Sequence, residues 1–79
     1  MAASNINWKG MKDAAVVAQL GAALRRMRLE RNQSQAEVAE RAGLDRTTVV
    51  KLEAGRAATL LTLVQVLRAM DRIELLDAV

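Results

Sequence analysis

The stretch Ser34–Arg56, SQAEVAERAGLDRTTVVKLEAGR, constrains this chain more than any other part of it. Ser34 and Glu37 stand three residues apart. In that S-x-x-E pattern a hydroxyl and a carboxylate satisfy each other's backbone N–H groups at a helix start. Val38 and Ala42 then fall on one helical face. Gly43 stands where a helix end needs a left-handed residue, and Leu44 follows it as an apolar plug. Asp45 is placed to cap a second helix, which turns Val49 and Leu52 inward and ends at Gly55. Arg46, Thr47, Val50 and Lys51 are left on its outer side. Two short helices cannot bury their inner faces alone, so the rest of the chain has to cover them.

The composition fits that demand with more helix. Pro is absent, Gly occurs four times, and Ala and Leu are frequent, so an all-α chain is the economical reading. Seventy-nine residues allow one domain with a small core, a size at which oligomerisation is a common supplement. Trp8 is the only aromatic residue, so that core is aliphatic. There is no His and no Cys, which excludes disulfides, thiolate nucleophiles, imidazole bases and the usual zinc sites. No Gly-rich phosphate loop and no paired-carboxylate cleft is present, so neither an enzyme nor a cofactor site is expected. No run of 18 apolar residues occurs, and MAASNINWKGMK lacks the apolar core of a signal peptide, so the expectation is a cytoplasmic protein with no membrane span. The net charge of +3 is compatible with a solvated surface and with nucleic-acid binding alike.

Residues 1–12 read as a flexible N-terminal arm, with Trp8 packed on the domain or on a second subunit. Residues 13–79 read as the folded unit. A first helix runs from about Asp13 or Ala14 to Arg31, with Asp13 as its cap and Val17, Leu20, Leu24 and Met27 as its apolar stripe. Gly21 on that side permits the close approach of another helix, and Arg28 at the stripe's edge needs a carboxylate or a snorkelling path to water. Thr59 is placed to cap a fourth helix, about Leu60–Met70, apolar widely enough to be buried on more than one side. Asp71 and Glu74 form another D-x-x-E pattern before a fifth short helix, Arg72–Val79, whose alternative is a strand pairing across a dimer. Ile73, Leu75, Leu76 and Val79 have nothing after them to cover them and read as a homodimer interface. The alternative is that they fold back on the first helix.

Leu24–Arg28, the run Ser34–Leu44 and TVVKLEAGR at Thr48–Arg56 together resemble the Cro/phage-repressor type (XRE family) helix-turn-helix. The resemblance covers about residues 16–79. It implies a five-helix, lambda-repressor-like fold and a transcriptional regulator that binds double-stranded DNA. On this resemblance Arg46, Thr47, Val50 and Lys51 read bases, Lys51 being equally placed for a phosphate, while Ser34, Gln35 and Arg56 contact phosphates. Arg28 and Glu53 correspond to an ion pair between the first and third helices. A dimer on a palindromic operator is implied, acting as a repressor or through contact with polymerase. The family often has Asn before the second Gly; Ala54 stands here, leaving only a backbone N–H for phosphate. The competing expectation is an antitoxin-type module that neutralises a partner toxin and autoregulates its operon, for which residues 1–15 and the last few residues are the available segments.

Overall fold

A computed structural model describes residues 6–56 and 58–78. Four α-helices follow one another: α1 (Asp13–Glu30), α2 (Gln35–Ala42), α3 (Arg46–Glu53) and α4 (Leu60–Ala69). A single 3-10 turn at Trp8–Gly10 precedes them and a 3-10 helix at Ile73–Ala78 follows. The described residues contain no strand, so the C-terminal segment is helical and of 3-10 type. Trp8 opens an ordered turn inside the expected arm and is 41% exposed.

The helix starts divide into two kinds. Ser34 and Thr59 act as side-chain caps. Ser34 Oγ accepts the Glu37 N–H at 3.0 Å while Glu37 Oε1 accepts the Ser34 N–H at 2.9 Å, and Thr59 Oγ1 accepts the Thr62 N–H at 3.0 Å. The Ser34 bonds hold the Glu37 carboxyl below the usual carboxylate range. Asp13 and Asp45 do not act as side-chain caps. The cap position of α1 belongs to Lys12, and Asp13 is the first helical residue, where its charge suits the positive end of the helix. Asp45 holds the cap position of α3 without a side-chain bond. The N–H it would take, that of Thr48, already donates to the Asp45 carbonyl at 3.0 Å.

The four α-helices end alike. Asn32, Gly43, Gly55 and Asp71 have φ of 55, 73, 78 and 56°. The next residue in each case donates its N–H five positions back: Gln33 to Arg28, Leu44 to Ala39, Arg56 to Lys51 and Arg72 to Leu67. This is the Schellman closure. Asp71 is therefore the left-handed end of α4, not the start of a capped fifth helix. Glu74 instead accepts Arg72 Nε at 3.0 Å.

The core is aliphatic. Leu24 from α1, Val38 and Ala39 from α2, Val49 and Leu52 from α3, and Val66, Leu67, Ala69 and Met70 from α4 and its end are buried together. α2 packs on α3 and α4, and α1 packs on α3, while α1 and α4 do not pack closely on each other. The expected burial of the apolar stripes is incomplete at that seam. Val17 and Leu20 continue the α1 stripe but stay 37% and 50% exposed, and Leu60 and Leu61 of α4 are 82% and 67% exposed. Ile73, expected at a dimer interface, packs partly buried against its own core, whereas Leu75 and Leu76 are exposed. Val79 lies outside the described residues, as does Ala57 of the connector.

Candidate nucleic-acid interface

Helix α3 has two turns and two faces. Val49, Leu52 and Glu53 are buried, and Arg46, Thr47, Val50 and Lys51 are exposed. The division follows from the helical repeat, since residues three and four apart share a face. Residues 46, 47, 50 and 51 form one outward patch: two cations, a hydroxyl and a branched apolar side chain. Neither Arg46 nor Lys51 makes an ion pair among the described residues.

What fixes α3 is a buried polar cluster at its C-terminal end. Arg28 Nε donates to Glu53 Oε2 at 2.6 Å and Nη2 to Oε1 at 3.0 Å, a two-pronged pairing. Arg28 Nη1 donates to the Gln33 carbonyl at 2.8 Å, and Gln35 Nε2 donates to Glu53 Oε1 at 3.2 Å. One carboxylate thereby ties α3 to the end of α1 and to the first residue of α2. The bond to Glu53 raises the Arg28 pKa despite the opposing effect of burial. The resemblance implies that Gln35 also buttresses the recognition helix but not that Glu53 is the acceptor, because the bond joins residues 18 apart whose meeting depends on how α2 crosses α3.

The backbone at this end is packed as tightly as the side chains. A Cβ on Gly21 of α1 would lie 2.5 Å from the Leu52 carbonyl oxygen and 2.7 Å from that of Glu53. A Cβ on Gly55 would lie 2.6 Å from Ala18 Cα, at a φ of 78° that already favours glycine. The last turn of α3 thus rests on the α1 backbone. This turn also engages the N–H of Ala54, which donates to the Val50 carbonyl at 3.0 Å and is not the free donor expected from the sequence.

The polar groups flanking α3 gather near its C-terminal end, where Gln35 meets Glu53. Ser34 and Gln35 begin α2, the former exposed and the latter half-buried. The Ser34 backbone N–H is taken by Glu37, so its hydroxyl proton is the donor left on that residue. Arg56 follows the closing turn of α3, is exposed, and makes no ion pair among the described residues.

A family profile described as Helix-turn-helix, the XRE/Cro type, matches residues 24–77, from the middle of α1 to the C-terminal 3-10 helix. No curated protein matches the chain significantly. The matched span contains every residue of the α3 patch and of the Arg28–Glu53 cluster. No described helix is long and apolar enough to cross a membrane.

Proposed function

The chain belongs to the XRE/Cro-type helix-turn-helix family of DNA-binding regulators, and from that premise we propose that it regulates transcription by reading a palindromic operator as a homodimer through α3. The observation that carries this reading is the patch of Arg46, Thr47, Val50 and Lys51, exposed on one side of a helix whose other side is buried. A helix of this width enters the major groove, where each base pair presents a distinct set of donors, acceptors and methyl groups. Arg46, at the N-terminus of α3, has the forked donors for a guanine. Val50 suits a thymine methyl, Thr47 can bond either kind of edge, and Lys51 meets a base or the adjoining phosphate.

Ser34, Gln35 and Arg56 fix the register of α3 without reading sequence. The start of α2 supplies backbone N–H groups with no intrahelical acceptor, a setting that favours an anion. The Gln35 amide keeps one N–H beyond the one given to Glu53. Arg56 supplies a cation just beyond the C-terminal end of α3. Residues 13–79 act as the DNA-binding unit, in the cytoplasm, and occupancy of the operator regulates transcription by excluding polymerase or by contacting it.

Selection of bound DNA from a random pool is expected to return two half-sites in inverted repeat, about 34 Å between centres. On the selected site Arg46→Ala should lose about 10- to 100-fold in affinity, the equivalent of about 1–3 kcal/mol for a bidentate contact. Binding to random DNA should change little. An equal loss on both would place Arg46 on the phosphate backbone and remove its base-reading role.

A further inference from the structure

An apolar trough runs along the seam that α1 and α4 leave open. Its larger recess, about 350 Å3, is lined by Val17, Leu20, Leu24, Leu52, Leu60 and Leu63, with Arg56 at its mouth. A second recess of about 230 Å3 shares Leu20, Leu24 and Leu63 with the first and reaches Leu75 of the C-terminal 3-10 helix. We propose that this trough is the face through which two copies of the chain pair, the Leu60–Leu61 ridge of each copy seated in the trough of the other. The inference deepens the homodimer reading above by locating its surface, and its test separates the two.

The occupant follows from the shape and chemistry of the patch. Leu60 and Leu61 are the most exposed large apolar side chains described; Leu60 lines the recess and Leu61 follows it in the chain. A projection beside a hollow in one patch is what a two-fold contact requires, since the same surface must complement itself. A small-molecule site instead needs a few convergent polar groups within its walls. Here the lining is almost wholly aliphatic, and Thr59 Oγ1 is engaged with the Thr62 N–H and hydroxyl.

Size and placement agree. Val17, Leu20, Leu60 and Leu75 on the trough, with Leu61 and Leu76 next to them in the chain, are 37–82% exposed. Side chains of that number and exposure present on the order of 600 Å2, most of the ~800 Å2 that each partner buries in a standard interface. Leu52, which lines the trough, is two residues from Val50 and so on the opposite side of α3. A second copy seated there leaves Arg46, Thr47, Val50 and Lys51 open to DNA.

Sedimentation of the full chain at micromolar concentration tests the proposal. The wild type should be a dimer. Leu60→Glu/Leu61→Glu, at two exposed positions, should keep its far-ultraviolet helical signal and sediment as a monomer, its dimer dissociation constant raised at least about 100-fold. Leu29→Glu, at a 45% exposed leucine outside the trough, should stay a dimer. Should the double variant lose its helical signal, Leu60→Ser alone is read instead, with a smaller weakening in the same direction. A monomeric wild type overturns the proposal, whatever else then covers the trough. So does a double variant that pairs like wild type, or a Leu29→Glu protein that dissociates equally. DNA retardation is scored separately. A dimer broken by the double substitution supports this face even where no DNA binds. A DNA-binding dimer indifferent to that substitution overturns the face and leaves the regulator reading standing.

Discussion

Arg28 holds three pieces of the chain at once: its own helix α1, the Gln33 carbonyl in the loop that follows, and Glu53 of α3. Both charged residues are under 10% exposed. Burying such a pair gains little over an apolar pair of similar volume, because desolvation offsets the attraction. Removing one partner is a different matter, since it leaves the other charge bare at a cost of about 3–5 kcal/mol. Against the roughly 4–12 kcal/mol expected for a domain of this length, that is about a quarter or more of the stability. Glu53→Ala should therefore lower the melting temperature by roughly 15–30 °C, read by circular dichroism. Replacing both residues, Arg28→Met with Glu53→Leu, should recover most of the loss. A Glu53→Ala protein melting within a few degrees of wild type would mean that water reaches Arg28 and that the pair does not hold α3.

Between α1 and α3 the contact is backbone on backbone, and Gly21 makes it possible. An added methyl there meets the Leu52 and Glu53 carbonyl oxygens and the Gly55 nitrogen, all within 3 Å, and none is the movable end of a side chain. Alanine in mid-helix gains about 1 kcal/mol over glycine. Overpacking costs about 1–3 kcal/mol and exceeds that gain when the neighbour cannot yield. Gly21→Ala should lower the melting temperature by about 5–10 °C and weaken operator binding beyond that, because relief requires the end of α3 to shift. An unchanged or raised melting temperature would show that α3 has room to move. Gly21, the Ser34 box and the Gly43 turn were legible in the sequence because each is a local pattern with one steric or hydrogen-bonding solution. The role of Asp71 and the missing side-chain bond of Asp45 were not. Each is an acid near a helix boundary, and whether it ends a helix or caps one depends on which carbonyl the next free N–H reaches.

The chain as a whole shows where local pattern stops being informative. Val17, Leu20, Leu60 and Leu61 belong to the same helical stripes as the buried Leu24 and Leu67. Periodicity marks an apolar face but not whether the same chain covers it; that depends on α1 and α4 each packing on other helices and not on each other. The two faces of α3 were legible from its repeat, whereas which of its cations meets a base and which a phosphate depends on a docking geometry that one chain does not fix. Charge settles part of that question, because a two-fold assembly counts each phosphate contact twice. Each phosphate neutralised steepens the fall of log affinity with log salt by about 0.9. Arg56→Ala should thus make the slope shallower by about 1.8 for a dimer on its operator and reduce specific and random binding alike. A change near 0.9 would mean that one subunit contacts DNA at a time. An unchanged slope would take Arg56 off the phosphate backbone and leave it at the mouth of the α1–α4 trough, where the fold already places it.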